Sequence, residues 1–227
     1  MGDGEAGAQR AMIDADTDTD TDMDLDTAAV RARIILVGGG ARSGKSRFAL
    51  ARARDLGTRR VFVATGQPLD AEMADRIAAH VRTRGADFRT VEEPIALPDT
   101  LRALGEARGA AGERPDVVVV DCLTLWLSNL LVRDDSEAHI AERVEALIAA
   151  LEARRFHALI VTNEVGLGIV PETPLGRLFR DVVGRAHQRL ADVADEIHLA
   201  ILGTMLRLRP EPLAVMRHEP EMKDGHR

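Results

Sequence analysis

The stretch "ILVGGGARSGKSRFALARA", Ile35 to Ala53, constrains the fold of this chain more than any other segment. An apolar run breaks into glycines, passes one lysine and one serine, and continues with helical spacing. Within it, "GGARSGKS" matches G-x-x-x-x-G-K-[ST] between a predicted strand and a predicted helix, which is the context of a phosphate-binding loop. The alternative is a glycine turn that only packs the helix on the strand. The chain holds just two lysines, Lys45 and Lys223, so a lysine at the motif position favours the phosphate loop.

The residues of this loop have distinct expected roles toward a nucleoside triphosphate. The backbone N–H groups around Arg42 to Ser46 would surround the phosphates at the helix N-terminus. Lys45 would contact the β- and γ-phosphates, and the Ser46 hydroxyl would ligate Mg²⁺. The predicted nucleotide-binding residues of the loop are Gly39, Gly40, Ala41, Arg42, Ser43, Gly44, Lys45 and Ser46.

Apolar runs alternate with amphipathic segments along the rest of the chain. The predicted strands are "RIILVGG", "RRVFVATG", "PDVVVVDC", "HALIVTNEVG" and "DEIHLAILG". Nearly continuous apolar runs of this length are typical of strands buried on both faces of a parallel sheet. The predicted helices are Lys45 to Asp55, Asp70 to Arg84, Ala138 to Ala153 and Leu175 to Ala194. The sequence therefore predicts an α/β fold, the three-layer P-loop NTPase fold of the recombinase-like type, with a mostly parallel central sheet.

The predicted strands end in residues that can carry chemistry: Gly39, Thr65, Asp121 and Thr162 to Glu164. In parallel sheets, ligands bind beyond the carboxyl ends of the strands, so these residues should lie together. Asp121 follows "VVVV" at the position where phosphate-loop enzymes hold magnesium. An Asp at a strand end can also cap a turn. With the loop present, we predict that Ser46 and Asp121 are metal ligands.

The two ends of the chain differ in composition from its centre. Seven aspartates occupy every second position from Asp14 to Asp26, which is too much charge for a packed structure. After Met205 the chain is rich in Pro and charge. We predict a disordered acidic tail at residues 1–32, a nucleotide-binding domain at 33–209 and a frayed C-terminal tail at 210–227, with one short docked piece after Met205 as the alternative.

Composition excludes several classes of function. Without the seven aspartates the formal charge of −7 becomes 0, and aromatic residues make up only 3% of the chain, so nucleic acid is not an expected partner. No run reaches the ~20 apolar residues of a membrane span, and the start lacks the basic and apolar regions of a secretory signal. The single cysteine, Cys122, excludes an internal disulfide framework. These features predict a cytoplasmic protein.

His80 lies on the predicted helix from Asp70 to Arg84, on the same face as Met73 and Ile77. Taken alone, a histidine on an apolar face is more often a packed core residue than a catalyst. The other six histidines show no metal-ligand spacing and are interpreted as structural. They are His139, His157, His187, His198, His218 and His226.

Four stretches together resemble one family. They are "GGARSGKS", "ATGQPLDAEMADRIAAHVRTR", "VVVDCLTLWLSNLL" and "VTNEVGLGIVPETPLGRLFRDVVGRAHQRLADVADEI". The order of a phosphate loop, R-I-x-x-H and T-N-E-V-G-x-G-I-V-P-E is similar to the bifunctional adenosylcobinamide kinase/adenosylcobinamide-phosphate guanylyltransferases of cobalamin biosynthesis. The resemblance covers about Arg33 to Leu208.

The resemblance implies two reactions and a set of site residues. The first is phosphorylation of the aminopropanol hydroxyl of adenosylcobinamide by ATP or GTP. The second is transfer of GMP from GTP to the adenosylcobinamide phosphate through a guanylylated histidine, here His80. The resemblance also implies a homo-oligomer, a trimer, and a GTP site that uses Lys45 and is lined by Thr65, Gly66, Gln67, Val81, Arg82, Thr83, Arg84, Glu92 and Asp121.

The chain departs from the family pattern at three places. Ala79 stands beside His80 where some relatives have a second histidine, Gly38 stands where Thr is frequent, and His187 stands where Asn is usual. None of these changes removes a proposed catalytic group. Two alternatives stay open: a member with only one of the two activities, and a regulatory or motor P-loop NTPase. The missing N-K-x-D switch motif and basic DNA-facing loops speak against the second.

Overall fold

The computed structural model describes residues 31–67, 85–108, 113–133 and 136–211. Within these residues the strands are β1 (Ile34–Gly39), β2 (Arg60–Ala64), β3 (Arg89–Glu92), β4 (Val117–Asp121), β5 (His157–Val161), β6 (Glu196–Ile201) and β7 (Thr204–Arg209). The helices there are α1 (Lys45–Leu56), α2 (Leu97–Glu106), α3 (Leu123–Val132), α4 (Glu137–Glu152) and α5 (Pro174–Val193).

The strands form one sheet with the order β3-β2-β4-β5-β1-β6-β7. All neighbouring pairs are parallel except β6 and β7, which are antiparallel. The strand that precedes the phosphate loop, β1, lies in the interior of the sheet between β5 and β6. Because β5 and β6 pair with both edges of β1, the backbone groups of β1 are hydrogen-bonded on both sides, and the start of the loop is held in place.

Helices cover both faces of the sheet. Alternate residues of β1 point to opposite faces, so Ile34 and Leu36 pack with α2, α3, α4 and α5, while Ile35 and Val37 pack with α1. Because both faces are buried, the strands need apolar side chains at every position, which explains their continuous apolar runs. The predicted α/β three-layer P-loop NTPase fold with a mostly parallel sheet is confirmed.

The sequence patterns missed the two outermost strands, β3 and β7, and two helices, α2 and α3. The prediction of a frayed tail from residue 210 left β7 as only a short docked piece, whereas Thr204–Arg209 is a full strand paired with β6. One face of β7 is exposed, so its sequence is not a continuous apolar run.

The helix α3 is apolar on nearly every side, so its sequence lacks the alternation of apolar and polar residues that indicates a helix. Its Trp126 is fully buried and donates its indole N–H to the Ile95 carbonyl at 2.8 Å.

The helix predicted over Asp70 to Arg84 lies outside the described residues. In the part of the chain that the structure describes, no helix has both the length and the apolar character needed to cross a bilayer.

Candidate functional site

The carboxyl ends of four neighbouring strands meet at one end of the sheet, here called the carboxyl end. Val37 of β1 pairs with Val161 of β5, and Val161 pairs in turn with Asp121 of β4. Asp121 is also level with Ala64 of β2. The phosphate loop, Thr65, Asp121 and the segment Thr162 to Glu164 therefore follow their strands at the same level, as the sequence predicts.

The phosphate loop curves through backbone conformations that most residues avoid. Arg42 and Gly44 have φ angles of 56° and 93°. Gly44 then precedes α1, and the Gly44 carbonyl accepts the Phe48 N–H at 3.0 Å. Lys45 is buried in the first turn, and its Nζ donates to the Gly40 carbonyl at 3.0 Å. The loop thus wraps around the lysine ammonium at the positive end of the helix dipole.

Gly39 is required at the start of the loop by both space and conformation. Its φ of 153° lies in a region that residues with a Cβ rarely adopt. A Cβ there would lie 2.8 Å from the Ala200 carbonyl oxygen and 2.7 Å from Ser43 Oγ. Ser43 Oγ is itself buried and has no hydrogen-bond partner among the described residues. An unsatisfied buried hydroxyl inside a phosphate loop fits a ligand oxygen as its partner.

Thr65 holds the end of β2 to the end of β4. Its side chain is fully buried, and Oγ1 accepts the Cys122 N–H at 2.8 Å while donating to the Cys122 carbonyl at 2.7 Å. Its carbonyl accepts the Asn129 side-chain N–H at 2.8 Å. Because these groups are already bonded, Thr65 positions Asp121 and Cys122 and leaves little side-chain surface for a nucleotide.

Cys122 follows Asp121 but does not have the character of a nucleophile. It is buried, and burial, together with the negative charge of Asp121, raises the pKa of its thiol. Its Sγ lies 3.1 Å from Thr124 Oγ1, which also accepts the Asn163 side-chain N–H at 3.0 Å. The thiol is one member of a neutral hydrogen-bonded group that ties β4, α3 and the end of β5 together.

The segment after β5 runs alongside the phosphate loop. The Thr162 N–H donates to the Val37 carbonyl at 3.0 Å, and the Glu164 N–H donates to the Gly39 carbonyl at 3.1 Å. Glu164 Oε1 accepts the Gly166 N–H at 2.5 Å. The Glu164 side chain is 29% exposed, so it remains accessible to solvent.

His187 of α5 reaches the same segment, which its place inside a helix pattern did not indicate. Its Nε2 lies 2.7 Å from Thr162 Oγ1, and its Nδ1 lies 3.7 Å from Glu164 Oε2. Burial lowers the pKa of His187, and the nearby Glu164 carboxylate offsets this only in part. An acid, an imidazole and a hydroxyl in this order resemble a hydrolase triad. Thr162 is only 2% exposed, however, so its hydroxyl cannot reach a substrate.

The structure places the other predicted site residues at different distances from the loop. Gly66 and Gln67 follow Thr65 and are half-buried, whereas Glu92 is exposed at the end of β3. Four strand spacings separate β3 from β1 in the sheet order, which puts Glu92 about 19 Å from the loop. His80 and the residues Val81, Arg82, Thr83 and Arg84 lie outside the described residues.

The predicted metal ligands have suitable chemistry and placement. Ser46 and Asp121 are both half-buried, in the first turn of α1 and at the end of β4. Hydroxyl and carboxylate oxygens are ligands that Mg²⁺ accepts, and Mg²⁺ usually takes few protein ligands and completes its shell with phosphates and water. Among the described residues no group of three or more His, Cys, Asp or Glu could hold a metal alone. These residues fit a magnesium ion that arrives with a nucleotide.

A phosphate loop after an interior parallel strand, with an aspartate two strands away, defines a P-loop nucleotide-binding protein. The chain belongs to the cobinamide kinase/cobinamide phosphate guanyltransferase family, whose model it matches over residues 35–208.

Relatives confirm this membership. The bifunctional adenosylcobalamin biosynthesis protein CobP of Pseudomonas aeruginosa is 43% identical over 178 residues, which cover 78% of this chain and 98% of the relative. The bifunctional adenosylcobalamin biosynthesis protein CobU of Salmonella typhimurium is 40% identical, and the alignment covers 78% of this chain and 99% of that protein. The resemblance described in the sequence analysis is thus confirmed.

The solved structures that match this chain include that of the RadB recombinase. It is 15% identical, has a TM-score of 0.41 and covers 74% of this chain and 73% of that chain. At this similarity the fold assignment rests on the sheet order and the loop described above.

Proposed function

We propose that this chain catalyses two consecutive steps of cobalamin biosynthesis. It phosphorylates the hydroxyl of adenosylcobinamide from ATP or GTP, and it then transfers GMP from GTP to the new phosphate. The observation that carries this proposal is the phosphate loop with buried Lys45 at the same end of the sheet as Asp121, in a chain that matches the family over residues 35–208. A nucleoside triphosphate in that loop would serve both steps.

In the kinase step the residues of the loop bind and orient the triphosphate. The backbone N–H groups at the start of α1 and the Lys45 ammonium would face the β- and γ-phosphates. Ser43 Oγ is a further donor that the loop itself does not satisfy. Ser46 and Asp121 would hold Mg²⁺, whose charge offsets the charge that develops on the leaving diphosphate.

In the transfer step we propose that His80 carries GMP. Attack of a neutral imidazole nitrogen on the α-phosphorus forms a nitrogen–phosphorus bond and releases pyrophosphate, and the resulting phosphoramidate then passes GMP to the corrinoid phosphate. The support is the "RIAAH" motif that the chain shares with the resembled family. Val81 to Arg84 follow in sequence and would line the same nucleotide. Glu92, at the end of the outermost strand β3, would by the same resemblance contact the nucleoside end of GTP.

We also propose a homo-oligomer, a trimer by the family resemblance. The segment that follows Glu164 carries large apolar side chains on the surface: Leu167, Ile169, Val170 and Leu175 are more than half exposed. Contiguous exposed apolar groups of this kind are typical of interaction surfaces.

The test of the two activities uses GTP labelled at the α- or the γ-phosphate, with wild-type protein and His80→Ala. Wild-type protein should acquire α-label covalently and should transfer γ-label to adenosylcobinamide. His80→Ala should lose covalent α-label and guanylyl transfer, while kinase activity survives because phosphoryl transfer to the corrinoid needs no nucleophile from the protein.

His139→Ala is the matched control, since His139 lies half-exposed on α4 and should label like the wild type. Full α-labelling of His80→Ala per folded molecule would contradict the assignment of His80. Absence of kinase activity in the wild type, with labelling intact, would favour a member with the transferase activity alone.

A further inference from the structure

Glu164 occupies a position in the site that neither the phosphate loop nor the metal pair explains. We infer that the Glu164 carboxylate accepts the proton of the substrate hydroxyl during phosphoryl transfer. This inference rests on the proposed kinase activity and assigns the residue that acts as its general base.

The backbone places Glu164 directly beside the phosphate loop. Its N–H donates to the carbonyl of Gly39, the first residue of the loop, at 3.1 Å. Two residues earlier, Thr162 makes the equivalent bond to Val37. The path from β5 to Glu164 is therefore held parallel to the path from β1 into the loop, and the position of Glu164 relative to bound phosphates is set by backbone hydrogen bonds.

The other acidic residues that the structure describes at the carboxyl end of the sheet are less suited to this role. Asp121 is proposed for the metal. Glu93 holds the turn before α2, since its carboxylate accepts the N–H groups of Ile95 and Ala96 at 2.9 and 2.6 Å. Glu92 lies about 19 Å from the loop across four strand spacings. Of the four carboxylates compared, that of Glu164 belongs to the residue bonded to the loop backbone and is assigned neither to the metal nor to the turn before α2.

The surroundings of the carboxylate restrict its orientation and leave it accessible. Oε1 accepts the Gly166 N–H, and Oε2 lies 3.7 Å from His187 Nδ1. His187 is in turn hydrogen-bonded to buried Thr162. With 29% of the side chain exposed, Glu164 remains accessible from the solvent side. A carboxylate that is held by the protein and accessible to solvent can take the proton of a hydroxyl that binds within hydrogen-bond distance.

The step balances with the groups already named. The substrate hydroxyl oxygen forms a bond to the γ-phosphorus, and the bond from that phosphorus to the bridging oxygen breaks. The electron pair of the broken bond leaves on the nucleoside diphosphate. The hydroxyl proton passes to Glu164, which releases it to water after the product departs.

Glu164→Gln tests this role because the amide keeps an oxygen that can accept the Gly166 N–H but is not a base. Kinase turnover, measured as γ-label transferred to adenosylcobinamide, should fall by about 10²–10⁴-fold. The dissociation constant for GTP should stay within about threefold of the wild-type value, since the loop and Lys45 are unchanged. The matched control is Glu152→Gln, an exposed glutamate at the end of α4 that should keep wild-type turnover.

Each outcome of this experiment supports or overturns the role of Glu164 as the general base. Lost turnover with retained GTP binding supports Glu164 as the base. Turnover within about threefold of the wild type would overturn this role and leave the proposed kinase intact. Parallel loss of turnover and GTP binding would also overturn it, because it would mean that Glu164 only shapes the loop. A wild-type protein without kinase activity would overturn both this inference and the kinase half of the proposed function.

Discussion

The two ends of the sheet differ in how their polar side chains are paired. At the amino end, where the strands begin, charges pair with charges. Glu196 accepts from Arg33 and Arg52 at 2.9 and 3.0 Å, and Asp195 pairs with Arg154. At the carboxyl end, the buried or half-buried polar groups of Thr65, Cys122, Asn129, Thr162 and Asn163 bond to polar side chains and backbone groups rather than to ions of opposite charge.

This difference separates stability from function. The charges at the amino end neutralise one another and hold the strand starts in register, so they need no ligand. At the carboxyl end the network of neutral side chains fixes the backbone, and we propose that the charged groups Lys45, Asp121 and Glu164 act on a bound molecule. Substitutions at the carboxyl end should therefore affect catalysis first, and substitutions at the amino end should affect folding first.

The largest expected effect is that of Lys45→Ala. Both the kinase and the guanylyl transfer should fall by about 10³-fold or more, because the same ammonium stabilises negative charge on the triphosphate in each reaction. The measurement is turnover of each reaction at saturating nucleotide. Arg189→Ala, which removes a surface cation on α5, should leave both rates unchanged. If either activity survived Lys45→Ala at near the normal rate, the loop could not be shared by the two reactions.

At the amino end, Asp195→Ala should reduce the free energy of unfolding by about 2–3 kcal/mol. The Asp195 carboxylate accepts the Ile34 N–H at 2.7 Å and pairs with partly buried Arg154, so its loss leaves the Ile34 N–H without its acceptor and Arg154 without its charged partner. Urea unfolding followed by circular dichroism measures the change. Kinase turnover per folded molecule should stay within about twofold.

Asp192→Ala is the control for Asp195→Ala. Its carboxylate is 66% exposed and pairs with Arg189 on the surface, which predicts a change of less than about 0.5 kcal/mol. Equal destabilisation by the two alanine variants would contradict the importance of charge pairing at the amino end.

The smallest expected effect is the acid sensitivity caused by Asp116, which precedes β4. Burial pushes the pKa of Asp116 upward, but hydrogen bonds from the Arg59 side chain and from the N–H groups of Arg59 and Thr58 outweigh it and lower the pKa from 3.8 to about 2. A lowered pKa in the folded state adds stability above the unfolded pKa, and this is lost as the pH falls from near 4 toward 2.

Asp116→Asn should therefore cost about 1–2 kcal/mol of unfolding free energy near neutral pH, after a discount for partial exposure. The difference from the wild type should shrink when urea unfolding is repeated at about pH 3. A difference that stays constant across this range would show that the charge of Asp116 does not stabilise the fold.

The interior strands of the sheet could be predicted from the sequence. A strand that is buried on both faces needs apolar side chains at nearly every position, and this pattern is visible in the sequence. β1, β2, β4 and β5 are nearly continuous apolar runs and β6 is mostly apolar, and the sequence predicted each of these strands. The outermost strands β3 and β7 are mostly exposed, so their residues resemble those of loops. Pairing with β2 and β6 decides their structure, and a local pattern contains no information about that partner.

The site was predictable where chemistry depends on neighbours in the sequence. The phosphate loop is predicted by the spacing of its glycines, lysine and serine, and Asp121 by its position at the end of an apolar run. His187 was not, because it is 25 residues from Thr162 and only the packing of α5 against β5 brings the two together. The buried side chain of Thr65 is a similar case, since its bonds to Cys122 depend on the order of β2 and β4 in the sheet.

The burial of Trp126 has a spectroscopic consequence. The chain has one tryptophan and no tyrosine, so its intrinsic fluorescence comes almost entirely from this indole. Trp126 lies in α3, one turn from Asp121, and is hydrogen-bonded to the Ile95 carbonyl between β3 and α2. Its emission therefore reports the packing of the carboxyl end of the sheet. The protein contains its own optical probe at the place where the nucleotide is expected to bind, without any label.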